Sequence, residues 1–127
     1  RHNRAHLLRA AQEGIAFAFR YGVDIMRESG LRAGVIRAGH ANLFLSPLFR
    51  STLATLCDAN IELYNTDGAL GAARGAALGA GLYRNRNEAF ASLRRIEEVH
   101  PDPAIRQVLE ETYQIWKKEL QLQLENQ

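Results

Sequence analysis

The sequence predicts an α/β fold that is rich in helices and has only a few strands, arranged in parallel. The run at 34–39 contains the β-branched Val35 and Ile36 between glycines, and the run at 61–64 alternates apolar and polar residues; both patterns are typical of strands. Longer stretches with apolar residues at three- and four-residue steps precede, separate and follow them. Strands that alternate with helices favour a parallel sheet, because the helix returns the chain to the start of the next strand.

The first element is a helix predicted over residues 5–29. Asn3 is a predicted N-cap, and Gly30 is the expected stop after the last periodic residue. Gly14 and Gly22 lower helix stability by about 1 kcal/mol each relative to alanine, so we expect another element to pack closely there. One apolar face is formed by residues at three- and four-residue steps: Leu8, Ala11, Ile15, Ala18, Gly22 and Met26.

The middle of the chain contains both predicted strands. The first, over 34–39, leads into a loop over 40–45. Ser46 is then a predicted N-cap, and the proline after it suits the first position of a second helix that runs to about Asp58. The second strand, over 61–64, ends in the turn cluster Asn65-Thr66-Asp67-Gly68.

The last part of the chain is predicted to be helical. An alanine- and glycine-rich helix is expected over 69–82, a fourth helix over 88–98, and a final helix from 104 to about 125, after a break at two prolines. The final helix has an apolar stripe that we expect to dock on the core or on a missing lobe, with partner binding as the alternative. Two parallel strands do not make a complete sheet, so we expect further strands upstream.

Composition narrows the class of protein. Sixteen Lys and Arg against fourteen Asp and Glu leave a net charge of +2, with both signs interspersed, which argues against nucleic-acid and membrane partners. The single cysteine, Cys57, excludes an intramolecular disulfide and favours a reducing compartment, hence the cytoplasm. It lies in an apolar run and is predicted to be a buried structural thiol. The start at Arg1 rather than Met leads us to expect a piece of a longer protein.

The segment 38–47, between the first strand and the second helix, is the first candidate for a ligand site. Gly39 at the end of a strand allows close approach to the backbone. The helix N-terminus that follows offers unpaired N–H groups, and ligands of open α/β sheets bind at the carboxyl ends of strands. The residues alone leave an ordinary strand-to-helix turn equally open, because neither GxGxxG nor a Walker-type lysine occurs.

Two further constellations have structural interpretations that we favour. Gly71, Gly75 and Gly79 lie four residues apart and predict close packing of that helix against a neighbouring backbone; in the alternative, residues 68–72 open the helix against a ligand. His6, Arg9 and Glu13 predict a structural Arg9–Glu13 ion pair rather than a catalytic histidine. The four histidines show no metal-ligand spacing with the cysteine.

Three segments resemble the FGGY carbohydrate kinases. Residues 6–17 resemble the family's second signature (His, Leu, two residues, two small residues, an apolar residue, an acid), with Gln12 at the apolar position, and are nearest to the xylulokinase branch. Residues 35–50 resemble its strand, adenosine loop and "SPLWR" helix start, and residues 62–73 its next strand and helix. The segments occur in the family's order and spacing, over about two thirds of the chain.

The resemblance implies a partial actin-like ATPase (ribonuclease H-like) fold, with ATP in a cleft between two lobes. Residues 1–127 would be part of the C-terminal nucleotide-binding lobe. Family members usually carry three consecutive glycines in the adenosine loop; here one remains, and the loop is two or three residues longer. The implied roles are stacking or space-filling by His40, hydrogen bonding to the base by Asn42, and cover by Phe44. The implied nucleotide-binding residues are Gly39, His40, Ala41, Asn42, Phe44, Ser46 and Pro47.

The resemblance also implies a function for the parent protein: phosphorylation of a sugar by ATP with Mg²⁺, with D-xylulose as the favoured substrate and xylulose 5-phosphate as the product. The catalytic aspartate, the sugar pocket and the first phosphate loop of the family lie outside this segment. We therefore expect no catalytic residue here and no activity from the chain alone, and homodimerisation of the full enzyme is left open. The alternatives are a free-standing actin-like nucleotide-binding or interaction module and, more distantly, a Rossmann-type enzyme, which lacks its fingerprint here.

Overall fold

The computed structural model describes residues 2–126; Arg1 and Gln127, the outermost residues of the predicted domain, lie outside this range. The described chain forms five α-helices and three strands. The helices are α1 (Arg4–Glu28), α2 (Pro47–Cys57), α3 (Gly68–Gly79), α4 (Arg86–Ala89) and α5 (Pro103–Glu125). The strands are β1 (Val35–Gly39), β2 (Asn60–Tyr64) and β3 (Arg95–Val99).

The sheet has the order β1-β2-β3. Strands β1 and β2 pair in parallel, from Val35 opposite Asn60 to Gly39 opposite Tyr64, as predicted. Strand β3 pairs antiparallel with β2, so the sheet is mixed. Helix α2 connects β1 to β2, as a helical crossover usually joins parallel neighbours.

The prediction of a helix over residues 88–98 is wrong. Helix α4 ends at Ala89, and β3 occupies the second half of that segment. The prediction failed because Leu93, Ile96 and Val99 recur at three-residue steps, which mimics a helical face. The strand is stabilised instead by long-range partners: Arg95 pairs with Glu62 of β2 at 3.1 Å, as cross-strand neighbours of opposite charge do.

Local signals placed both ends of α1 and the start of α2 correctly, whereas the helix predicted over 69–82 is Gly68–Gly79. The side chain of Asn3 accepts a hydrogen bond from the backbone N–H of His6, and the His6 ring accepts one from the N–H of Asn3. At the start of α2, the hydroxyl of Ser46 accepts from the N–H of Phe49 at 3.3 Å. Gly30 follows α1 with a φ of 84°, a left-handed conformation that favours glycine.

The core lies between one face of the sheet and α2, which α1 and α5 flank. Eight of the eleven residues of α2 are buried, so this helix is central rather than superficial. Helix α5 docks on the core through Leu109 and Tyr113, which confirms the docking expected of its apolar stripe. The largest fully buried side chains are Tyr113, Phe49, Leu53, Leu56, Ile61 and Leu63.

A polar cluster joins α1, α2 and α5. Tyr113 donates a hydrogen bond to Asp24 at 2.8 Å, and Arg20 donates to the other oxygen of the same carboxylate at 2.7 Å. Arg20 and Arg27 also donate to the last two carbonyls of α2. The cluster thus satisfies carbonyl groups that have no partner within the helix.

The close packing predicted for the glycine-rich helix is not seen in the described chain. No atom lies within 4 Å of a Cβ built at Gly71, Gly75 or Gly79, and most of α3 is exposed. The same holds for Gly14 and Gly22 on α1. Within residues 2–126, therefore, these small residues face open space rather than a neighbouring backbone.

Candidate functional site

The candidate loop lies at the carboxyl end of β1. After Gly39 the chain makes a 3₁₀ turn over Asn42–Leu45 and then enters α2. Asn42 has a φ of 53°, a left-handed conformation that asparagine adopts more readily than most residues. Backbone bonds shape the loop, since the N–H of Ala41 donates to the carbonyl of Gly39 at 2.9 Å and that of Phe44 to Ala41 at 3.1 Å.

Gly39 is required by the protein's own backbone. A Cβ at this position would lie 2.3 Å from the carbonyl oxygen of Thr66 and 3.2 Å from the Cα of Asp67. The loop that follows β2 therefore crosses directly over the end of β1. The sequence indicated a close approach to the backbone at this glycine. In the structure, that approach is made by the loop after β2, which contacts the loop after β1.

The two loops enclose a cavity of about 280 Å³. Its apolar wall is largely aromatic: Phe19 from α1, Phe44 from the loop and Phe49 from α2. The rings of Phe44 and Phe49 lie edge to face with centroids 5.5 Å apart, and those of Phe19 and Phe49 are 6.3 Å apart. Such a wall suits a planar aromatic group, which gains both burial and ring contacts.

Four of the seven nucleotide-binding residues implied by the resemblance line this cavity: Gly39, Ala41, Asn42 and Phe44. The other three lie beside it: His40, Ser46 and Pro47. The side chain of His40 is exposed, and its backbone N–H donates to the carbonyl of Tyr64 at 2.9 Å. Ser46 and Pro47 form the cap and the first residue of α2, as predicted.

Four cavity residues come from outside the predicted loop, and one of them, Phe49, lies in the first turn of α2. Phe19 belongs to α1, and no local pattern connects it with the loop. Asp67 and Gly68 belong to the start of α3, where the Asp67 carboxylate accepts from the N–H of Leu70 at 2.8 Å. The sequence placed Asp67 and Gly68 in a turn cluster before a helix. Its alternative interpretation, in which residues 68–72 open that helix against a ligand, is the sequence signal for this part of the cavity.

Gln12 holds the start of α2 against α1. The hydroxyl of Ser46 donates to the amide oxygen of Gln12 at 2.7 Å. Gln12 stands where the FGGY signature has an apolar residue. Here the polar side chain has a partner, and the hydrogen bond ties the candidate loop to the helix that supplies Phe19.

Arg50 ties the same loop to β3. Its guanidinium donates to the carbonyl of Phe44 at 3.2 Å and pairs with Glu97 of β3 at 3.0 Å. The Arg50 side chain is 9% exposed and that of Glu97 is 43% exposed, so the guanidinium is buried while its carboxylate partner remains in contact with water. Strand β3 thus contributes to the shape of the cavity although it does not line it.

A second cavity, of about 560 Å³, lies at the opposite end of the sheet, beside Gly34 before β1. Three of its four arginines are engaged within the protein. Arg20 and Arg27 contact the Asp24 carboxylate, and Arg106 pairs with Asp58 at 2.6 Å. This cavity is therefore bordered by internal ion pairs, whereas the smaller cavity at the carboxyl ends has a largely aromatic wall.

Cys57 has the environment predicted for it. The thiol is buried, and burial raises the pKa of Cys57 to about 11. Because the thiolate is the reactive form, iodoacetamide at pH 8 should leave the native protein unmodified and modify it after denaturation, as followed by intact mass. Labelling of the native protein within minutes would contradict this assignment.

Two further features are absent from residues 2–126. No group of three or more His, Cys, Asp or Glu side chains is placed to hold a metal ion. None of the described helices combines the length and the hydropathy needed to cross a bilayer.

No protein-family model matches the chain, but comparison with known proteins finds similar ones. The chain is 34% identical over 118 residues to L-xylulose/3-keto-L-gulonate kinase of Escherichia coli (strain K12), covering 89% of this chain and 23% of that protein. Its structure is similar to that of xylulose kinase from Rhodospirillum rubrum, with a TM-score of 0.71, 28% identity, and coverage of 92% of this chain and 24% of the other.

The similarities confirm the resemblance to xylulokinase-like sugar kinases and the partial actin-like ATPase fold. The predicted few parallel strands correspond to β1 and β2, to which the structure adds the antiparallel β3. The chain spans about a quarter of the length of each relative it matches.

Proposed function

We propose that this chain is part of the C-terminal nucleotide-binding lobe of a cytoplasmic, ATP-dependent carbohydrate kinase. The observation that carries the proposal is the similarity of nine tenths of the chain to about a quarter of two sugar kinases. The cavity at the carboxyl ends of β1 and β2 supports it, because that edge is where open α/β sheets bind ligands.

The proposed substrate is a keto sugar, with D-xylulose as the first candidate and xylulose 5-phosphate as its product. The two relatives are named for xylulose and for L-xylulose or 3-keto-L-gulonate, which supports the ketose class. Because only one of these names states the hand of the sugar, the assay of the full-length protein should include both D- and L-xylulose. The residues that read the sugar hydroxyls belong, in this proposal, to the part of the kinase outside these 127 residues.

The proposed role of the cavity is to hold the adenosine end of ATP. The rings of Phe19 and Phe44, which pack on the fully buried Phe49, offer an aromatic surface that fits a planar base. The Asn42 amide, at the rim, supplies both a donor and an acceptor for the edge of the base. Residues 2–126 contain no cluster of metal-ligating side chains. We therefore assign the binding of Mg²⁺ to other parts of the kinase.

The chain alone is proposed to be inactive. Transfer of a phosphoryl group to a sugar requires a base that accepts the proton of the attacking hydroxyl. Among the described residues that line the cavity, Asp67 carries the one carboxylate, and it caps α3 by accepting from Leu70. Detectable ketose kinase activity of the isolated 127 residues would contradict this proposal.

The adenosine role is tested by the double variant Asn42→Ala, Phe44→Ala in the full-length kinase. Loss of one base–aromatic contact and one hydrogen bond, worth about 1–3 kcal/mol, should raise the KM for ATP roughly tenfold and leave the KM for the sugar nearly unchanged. Steady-state kinetics with each substrate varied in turn measure both. The matched control is Leu45→Ala, a residue of the same turn that is exposed and does not line the cavity. An unchanged KM for ATP in the double variant would remove the proposed role.

A further inference from the structure

Four charged residues of α1 lie on the side that faces the rest of the chain. Glu13, Arg20, Asp24 and Arg27 have side chains that are 17%, 16%, 24% and 31% exposed. The opposite side, which we call the outer face of α1, bears no charged residue between Leu7 and Met26; Arg4 precedes it in the first turn of the helix. It consists of apolar and small residues at helical spacing: Leu7, Leu8, Ala11, Ile15, Ala18, Phe19, Gly22, Ile25 and Met26. A helix at the surface of a globular protein normally has the reverse arrangement.

The outer face of α1 is exposed along its whole length. Leu7 is 68% exposed, Leu8 57%, Phe19 51% and Ile25 50%. Around Gly22 the face forms a shallow, almost wholly apolar groove, and no atom lies within 4 Å of a Cβ built at that glycine. A contiguous apolar surface of this kind, unlike single exposed residues, marks a contact surface.

The outer face meets the candidate nucleotide cavity at Phe19. This side chain lines both the groove on α1 and the cavity, where it lies with Gly39, the last residue of β1. Within residues 2–126, β1 pairs only with β2, so its other edge is open. An open strand edge and an exposed apolar helix face are each surfaces that a larger α/β layer would cover.

The similarities indicate what covers these surfaces. Both relatives are about four times as long as this chain. The structure of one of them matches 92% of this chain. We propose that the outer face of α1 is an internal docking surface, covered in the full-length kinase by apolar elements of the same polypeptide outside these 127 residues. This inference rests on the proposed function. It makes Phe19 a residue whose position in the nucleotide cavity depends on that docking.

The test is the substitution Ile15→Glu in the full-length protein, with Ile115→Glu as the matched control. Both residues lie within long helices and are exposed in this structure, at 40% and 66%. Ile115 has polar neighbours on α5 (Glu111, Gln114, Lys118 and Glu119), as a solvent-facing residue does. Burial of an unpaired charge at Ile15 should lower Tm by about 5 °C or more, whereas the control should leave Tm nearly unchanged. Thermal unfolding measures both.

A pair of alanine substitutions tests the same proposal if the Ile15→Glu variant does not fold. Ile15→Ala should lower Tm by about 4 °C through loss of buried apolar volume, and Ile115→Ala should not. Equal Tm values for the two alanine variants would overturn the proposal. Loss of self-association in the Ile15 variants, seen by light scattering, with an unchanged Tm would also overturn the proposal. The outer face of α1 would then be covered by a second copy of the protein. Assay of the unsubstituted protein with ketoses tests the proposed function separately. If kinase activity were absent but the Tm difference were present, the docking surface would stand and the proposed kinase function would fail.

Discussion

Replacement of Gly39 by alanine is expected to lower the free energy of unfolding by about 2 kcal/mol or more and to raise the KM of the full-length kinase for ATP. The new Cβ would lie 2.3 Å from the carbonyl oxygen of Thr66 and 3.0 Å from its carbonyl carbon. Neither atom is the flexible end of a side chain, so the two loops must separate. Because those loops enclose the candidate cavity, stability and nucleotide affinity should fall together.

Gly34→Ala is the matched control for this prediction. Gly34 lies immediately before β1, and a Cβ built there meets no atom within 4 Å. The free energy of unfolding, from urea denaturation, and the KM for ATP should both stay near their original values. If Gly39→Ala were as harmless as Gly34→Ala, the crossing of the two loops over Gly39 would be wrong.

Replacement of Tyr113 by alanine is expected to lower the free energy of unfolding by about 3–5 kcal/mol. The Tyr113 side chain is fully buried. Its ring stacks on Trp116 with centroids 6.0 Å apart and lies 5.9 Å from Phe17 of α1, while its hydroxyl donates to Asp24. The substitution thus removes both an aromatic contact between α1 and α5 and one partner of a partly buried carboxylate.

Tyr113→Phe separates the two contributions. It keeps the ring and removes the hydroxyl, so the expected loss is about 1–2 kcal/mol, measured by the same denaturation experiment. A loss as large as that of the alanine variant would show that the hydrogen bond, not the ring, holds α5.

The same variant should change the dependence of stability on pH. Burial raises the pKa of Asp24, but hydrogen bonds from Arg20 and Tyr113 outweigh it and hold the pKa below the ordinary value of 3.8. A carboxyl group with a lowered pKa stabilises the fold above its unfolded pKa, and that contribution is lost as the pH falls through its folded pKa. Without the Tyr113 hydroxyl, the loss of stability in acid below that ordinary value should be smaller.

The elements that depend on short-range signals were predictable from the sequence. The ends of α1 and α2 follow from Asn3, Gly30 and Ser46, whose side chains or backbone act within one turn of the helix. Strand β1 follows from a β-branched run between glycines, and β2 from alternating apolar and polar residues. The resemblance to sugar kinases also required only linear motifs in a fixed order.

The candidate site was predictable in part. The loop after β1 was identified from its position between a strand and a helix, and four of its residues line the cavity. Phe19 and Asp67 were not assigned to it, because they come from α1 and from the start of α3. No spacing along the chain indicates that these elements meet at the end of β1.

Strand β3 and the contacts around the cavity were decided by the tertiary structure. Residues 95–99 have three-residue spacing that favours a helix, yet they pair with β2, more than thirty residues earlier. Gly39 has to be glycine because of Thr66, and Gln12 is held by Ser46. Helix periodicity and caps are encoded over a few residues, whereas these features depend on which distant groups the fold brings within hydrogen-bonding or contact distance.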